Sequence, residues 1–351
     1  MSDTAHYRVS TATRTSRIGL MIMLAGVIFL ATTPLWGGRA DMRLVVEFCY
    51  FLALAQMWNL LAGYAGLVSV GQQAFVGLGG YALFVFSIFL GIHPLLALPL
   101  AALTAALFAI PTALIVFRLR GAYFAIGTWV MAEVYRLGFA QISALGGGSG
   151  QSLPISVIKS VAPSRSDREL VIFIIGVVLA IVATGIVYWL LRSRHGLALT
   201  AIRDSEPASE SLGVNNFRTK LFVYVLAATI TGFIGALIYL QKFRIAPDAA
   251  FSLIDWTAYV IFIVVIGGIG RIEGPIVGTI IFFILREFLS DLGSWYLMIL
   301  GLVAVVIMLK APQGIWGLLA TRFDLHFFPV QRRLYRHDGK ALGEPTGPAQ
   351  S

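Results

Sequence analysis

LVIFIIGVVLAIVATGIVYWLLRSRHGLALTAIRDSEPASESLGVNNFRTKLFVYVLAATITGFIGALIYL (170–240) holds two long apolar runs around one long polar, basic stretch, 192–220. Working outward, apolar runs continue almost unbroken from Ile18 to Leu309. Most are long enough for a bilayer-spanning helix, which takes roughly 20 residues, and the shorter late ones fit tilted, re-entrant or partly buried segments. The alternating polar and apolar pattern of a membrane β-barrel is missing. Helices also satisfy their own backbone groups in lipid. The reading is therefore an all-α integral membrane protein with one large polar handle.

Composition agrees. The 351 residues are 58% hydrophobic and only 12% charged, against about 25% charged in soluble domains. Ten segments read as transmembrane helices: 18–36, 44–63, 73–92, 94–117, 121–141, 170–191, 221–241, 256–271, 274–290 and 295–310. With the amino terminus inside, the cytoplasmic pieces hold 17 Lys and Arg and the external pieces seven. This bias predicts that both termini are cytoplasmic. Residues 1–17 form a cytoplasmic amino-terminal tail, 18–310 the membrane domain with the handle at 192–220, and 311–351 a cytoplasmic carboxyl-terminal tail that is polar and flexible from Arg322 onward. The segment 18–36 reads as retained, since FLATTPLWGG (29–38) offers no clean A-x-A cleavage site. The net charge of +9 is explained by this topology bias rather than by nucleic acid binding.

Little here is catalytic. Cys49 is the only cysteine and lies within an apolar run. The five histidines, His6, His93, His195, His326 and His337, are scattered without metal-ligand spacing. No G-x-x-x-x-G-K-[ST] loop occurs, and the one Gly-Lys pair, Gly339-Lys340, is followed by Ala341. An integral-membrane enzyme would need a nucleophile–base pair or metal cluster, and neither is present.

Two glycine-rich stretches, 63–82 and 267–278, interrupt the pattern. Small residues let membrane helices approach closely. Broken helices lining a pathway would also use them, because irregular backbone at membrane depth needs protein or a water-filled cavity around it. Each stretch leads straight into another apolar segment, which invites a reading as two related halves. Asn59, Ser69, Gln72 and Gln73 cluster near the first stretch, and Glu133 and Arg136 lie one turn apart in the fifth segment. Intramembrane polar groups are default pathway candidates. Tyr123, Phe124 and Thr128 complete that set. A secondary transporter would need midplane carboxylates for ion coupling, and Glu133 alone qualifies.

In the handle, Asp204, Ser205 and Glu206 supply acceptors and negative charge for a helix start. Pro207 suits a first turn, and Gly213 suits the left-handed closing position. A helix of about two turns follows, with Ala208, Ser209 and Leu212 as a small face suited to a partner's groove.

From about residue 55 to 318 the chain resembles the LivM-type permease of bacterial branched-chain amino acid ABC transporters. The resemblance rests on NLLAGYAGLVSVGQQAFVGLGGYA (59–82), RGAYFAIGTWVMAEVYRL (120–137), LGGGSGQSLP (145–154), the handle with the following span (195–237), and VVIGGIGRIEGPIVGTII (264–281). It implies that Arg203, Asp204, Glu206, Ala208, Ser209, Leu212 and Gly213 form a coupling segment for cytoplasmic ATPases, similar to the EAA-type loop of ABC importers. The chain departs from that pattern: Pro207 follows Glu206, Ser209 replaces a usual alanine, and Gly213 lies seven residues past Glu206. The resemblance further implies a second homologous permease, two ATP-binding subunits that hold ATP and Mg, a periplasmic solute-binding protein and a location in the bacterial inner membrane. Branched-chain amino acids are the family default as solute; urea, amides and aromatic acids are carried by related systems.

Overall fold

The computed structural model describes residues 7–10, 14–289, 293, 295–311, 313–323, 327–328 and 333–336. Strand β1 (Tyr7–Ser10) precedes α1 (Arg14–Ala31) and the short α2 (Thr33–Trp36), so the first predicted segment breaks in two. Helix α3 (Arg39–Asn59) runs into a π-helical turn, Leu60–Tyr64. Helix α4 (Gln72–Phe84) ends in a second π-turn, Val85–Phe89, and is followed by α5 (Pro94–Val116) and α6 (Ala122–Ala140).

Strand β2 (Gln151–Ser152) and α7 (Ile155–Val161) lead to α8 (Arg165–Arg192), whose 28 residues exceed the length needed to span. The handle is α9 (Arg194–Asp204) and α10 (Glu206–Ser211). Then come α11 (Asn216–Lys242), β3 (Arg244–Ile245), α12 (Pro247–Ala250), a π-turn at Ile254–Ala258, α13 (Tyr259–Gly267), α14 (Glu273–Leu289), α15 (Trp295–Lys310), α16 (Gly314–Phe323) and β4 (Arg333–Arg336).

Among the described residues the chain is helical almost throughout, and seven helices are long and apolar enough to cross a membrane. These are Arg39–Tyr64, Gln72–Phe89, Pro94–Val116, Arg165–Arg192, Asn216–Lys242, Pro247–Gly267 and Trp295–Phe323. The other three predicted segments are also helical. However, α1 is a shorter apolar helix, α6 is diluted by Glu133 and Arg136, and α14 has only 17 residues. The carboxyl-terminal tail opens with α16, and part of the stretch read as flexible from Arg322 onward is structured: β4 pairs antiparallel with β1, Tyr7 facing Arg336. Residues 324–326, 329–332 and 337–351 lie outside the described residues.

Helices α3, α4 and α11 form the interior, with α5 along α11 and α15 at the periphery. Their packing depends on small residues. Ala101, Ala105, Ala109 and Ala113 repeat every fourth position on α5 and are fully buried. Four-residue spacing puts them on one helix face, and Ala105 meets Gly232 of α11. On the other side of α11, Gly79 abuts the backbone of Gly232, and Gly235 abuts that of Val76. Gly77 and Gly80 leave room for the rings of Phe251 and Tyr239. The first glycine-rich stretch is therefore chiefly a packing device from Gly77 onward. In lipid, such close approach replaces the hydrophobic drive that assembles soluble helices.

A side chain at Gly79 would press on the Gly232 carbonyl carbon at 2.6 Å, and backbone cannot yield as a flexible side chain does. Gly79→Val is expected to cost about 1–3 kcal/mol or more and to lower the melting temperature in detergent by several degrees. Gly185→Ala, in α8 with nothing near it, is expected to leave that temperature unchanged or raise it. Equal melting of the two variants would refute this packing role.

Candidate functional site

The handle is a rigid two-helix element. Ser193 caps α9 by accepting from His195 N, and Ser205 caps α10 by accepting from Ala208 N. At the far end Gly213 takes φ +83°, with Gly213 N donating to Glu210 O and Val214 N to Ser209 O. This paired closure explains why the position suits glycine. Asn215 caps α11 by accepting from Arg218 N.

Asn216 then clamps the two elements together. Its amide donates to Glu206 O at 2.9 Å and Glu210 Oε1 at 3.2 Å, while its carbonyl accepts from Ser209 Oγ at 2.7 Å. Lys220 pairs with Glu206. Ser209 is buried in this clamp, so it faces inward, away from any partner's groove. Pro207 and Ala208 are exposed, and Leu212 is 80% exposed at the tip. A leucine this exposed at a helix end is an apolar knob without a socket among the described residues.

Arg203, the penultimate residue of α9, connects the handle to the bundle. Its Nη1 donates to Gly63 O at 3.1 Å, and its other nitrogens reach Asp204 Oδ1 at 3.0–3.1 Å. Gly63 lies in the π-turn that ends α3, packed on the backbone of Gly270 in the second glycine-rich stretch. The two stretches, about 200 residues apart in sequence, thus meet.

Asn59 ties this joint: its Oδ1 accepts from Gly270 N and its Nδ2 donates to Arg271 O, both at 2.8 Å. One turn earlier, Gln56 Nε2 donates to Ile272 O at 2.9 Å. Gln56, Asn59 and Gly63 share one face of α3, as their spacing requires. Just beyond, the buried Glu273 accepts from the backbone amides of Phe327 and Phe328. Gly268 and Gly270 have positive φ, which lets the chain turn sharply between α13 and α14.

The sequence-derived pathway residues divide into two groups. Asn59, Ser69, Gln72, Gln73, Phe124 and Thr128 are all buried. Of these, Ser69 belongs to the irregular segment 65–71 between the Leu60–Tyr64 turn and α4, and Thr128 holds that segment at Val70. Trp58 Nε1 donates to Ser69 O, Val70 N to Thr128 Oγ1, Gln72 Nε2 to Leu54 O, and Gln73 N to Thr257 Oγ1. Almost no free volume surrounds Ser69 and Gln72, about 10 Å³.

Tyr123 and Glu133, by contrast, lie on the exposed face of α6 with Trp129, Val130, Val134 and Leu137. Glu133 is held by Arg136 at 2.5–3.0 Å, and Arg136 also pairs with Asp248 of α12. The sequence reading missed Gln56, Asn216 and Thr257. Intramembrane amides and hydroxyls were the available signal; Asn216 alone sits at a helix start, where it reads as an ordinary cap.

The family described as the permease component of branched-chain amino acid transport systems matches residues 42–309. The high-affinity branched-chain amino acid transport system permease protein LivM of Salmonella typhimurium is 25% identical over 84% of this chain and 74% of that relative. LivM of Escherichia coli is 26% identical over the same shares. The fructose import permease protein FruG of Bifidobacterium longum is 26% identical over 48% of this chain and 52% of its own length. No solved structure matches the chain. The matching span includes the π-turn of Gly63, the handle and the Gly267–Gly278 turn, and on it the chain belongs to the branched-chain amino acid transport permease family, as a multi-pass membrane permease of the importer class.

Proposed function

We propose that this chain is one of a pair of permease subunits in an ATP-driven importer of branched-chain amino acids. The observation that carries the reading is the link from the handle through Arg203 to the Gly63–Gly270 joint. A subunit that took up energy at α10 would need such a route into the bundle.

Two cytoplasmic ATPases hold ATP and Mg, and one of them grips α10 of this chain, with the exposed Leu212 seated in its groove. Asp204, Glu206 and Ala208 shape that knob, Ser209 and Gly213 fix its form, and Arg203 carries its displacement inward. Closure of the ATPases rocks one permease against the other, a rigid-body change. A second homologous permease covers the exposed face of α6, so that Tyr123 and Glu133 border the pathway between the two. Asn59, Ser69, Gln72, Gln73, Phe124 and Thr128 shape it from behind. A periplasmic solute-binding protein delivers the amino acid.

The chain crosses the bacterial inner membrane ten times, with both termini and the handle inside, as the Lys and Arg bias favours. The two glycine-rich breaks belong to related halves. The solute follows from the names of the LivM relatives.

The direct test is purification of the chain in mild detergent. Recovery with two ATPases and a second permease, and ATP-dependent uptake of leucine in proteoliposomes loaded with the binding protein, is the expected result. Uptake by the chain alone that follows an ion gradient would overturn the reading.

Two variants separate grip from transmission. Leu212→Asp places a charge in the groove and is expected to reduce ATPase co-purification about ten-fold or more, with the permease itself folded. Arg203→Gln removes the charge-assisted bond to Gly63, an interaction worth about 1.5–3 kcal/mol. It is expected to leave the ATPases bound while uptake per ATP hydrolysed falls. Loss of assembly in Arg203→Gln, or normal coupling, would contradict the transmitting role.

A further inference from the structure

At the end of the bundle away from α10, a cavity of about 1130 Å³ lies between α8 on one side and α14 and α15 on the other. Its floor is α3, the end of α11 and the Ile254–Ala258 turn. We propose that this cavity seats the headgroup of an anionic phospholipid.

Charge is the first argument. The loops and helix ends on this side carry seven Lys and Arg: Arg39, Arg43, Lys159, Arg165, Arg168, Lys242 and Arg244. Five of them line this one cavity, arriving from α3, α7, α8 and α11, and Arg286 of α14 joins them. Three carboxylates share the lining, and two are already engaged. Glu169 takes Arg43 at 2.5 Å and Arg165 at 3.4 Å, and Glu47 takes both amines of Arg286 at 2.7 and 3.1 Å. The third is Asp255.

Lys159 and Lys242 have no carboxylate at ion-pair distance among the described residues. Lys242 Nζ lies over the Trp256 ring, 4.8 Å from its centre. Arg168 spends one amine on the carbonyls of Ala162 and Pro163, while its Nε is buried without a hydrogen-bond partner. Six cations against three carboxylates leave an anion-seeking surplus, and phosphate suits lysine and arginine donors.

Depth and shape favour a lipid over a free anion. The cavity is built from the first half of α3, the first turns of α8 and α15 and the last turns of α11 and α14, all at one end of the bundle. Tyr50, Trp256, Tyr259 and Tyr296 line it, as amphipathic rings do at a membrane interface. Met42, Val46 and Ile172 add apolar wall. Its volume exceeds the usual 300–1,000 Å³ of a small-molecule pocket. Beside it, Phe288, Met298 and Leu302 of α14 and α15 are 64–78% exposed and offer a bed for acyl chains.

The test uses the full-length chain, delipidated in detergent. It is titrated separately with short-chain phosphatidylglycerol, short-chain phosphatidylcholine and inorganic phosphate, and the melting temperature is read. The expected result is a saturable rise with phosphatidylglycerol, a smaller one with phosphatidylcholine and none with phosphate. The Lys159→Gln, Lys242→Gln double variant is expected to bind phosphatidylglycerol about ten-fold more weakly while melting normally without lipid. Lys159→Glu on the exposed α7 makes the same test if loss of the Lys242 stem from Trp256 unfolds the double variant. Equal responses to the two lipids, a phosphate response matching that to phosphatidylglycerol, or unchanged binding by the variants would overturn the proposal.

Discussion

Asn59 spends both halves of its side-chain amide on backbone more than 200 residues away, at Gly270 and Arg271. The rest of the bundle depends on that exchange. In a bilayer each unpaired peptide group is costly, so a helix can be broken only where protein supplies substitute partners. This chain breaks its helices twice, after Tyr64 and after Gly267, and places the breaks against each other. Gln56 serves Ile272, Trp58 serves Ser69, and Thr128 serves Val70. Each of these side chains is engaged on one side, while the carbonyl oxygens of Gln56 and Gln72 are buried without a hydrogen-bond partner among the described residues.

The same economy governs the glycines. Where two backbones touch, as at Gly79 with Gly232 or Gly63 with Gly270, a methyl group would part them. Close contact also makes the bundle stiff: packed helices slide or rock as units rather than bend. At the Gly63–Gly270 contact the π-turn on one side and the positive-φ glycines on the other depart from α-helix.

Much of the architecture was legible because apolar length is a direct demand of the bilayer. The handle was legible too: Ser205, Glu206 and Gly213 mark a helix start and stop by local chemistry, and α10 spans Glu206–Ser211 as that chemistry requires. What stayed hidden was facing. A buried membrane helix such as α4 is apolar all round, so nothing in its sequence marks an inner side. Ser209 therefore read as part of an outward face, whereas Asn216 draws it inward. The Arg203–Gly63 bond joins residues 140 apart, and the outer cations are scattered over four helices, so neither grouping exists until the chain is folded. The first segment misled differently, since hydropathy alone cannot see Thr32 break it before Pro34.

Burial and exposure together explain why a permease of this kind needs company. The interior is complete, with α3, α4 and α11 packed to backbone contact, yet α6 keeps one whole face bare and α10 ends on a bare leucine. A chain selected only for its own stability would gain by covering Leu212 or by making it polar. Keeping it costs solubility at one point and rigidity nowhere, because the Asn216 clamp holds the α10 backbone without help from the leucine. The knob is therefore pre-formed, and a partner that binds it spends little on ordering. Between α10 and Gly63 stand only the short α9 and the Arg203 guanidinium.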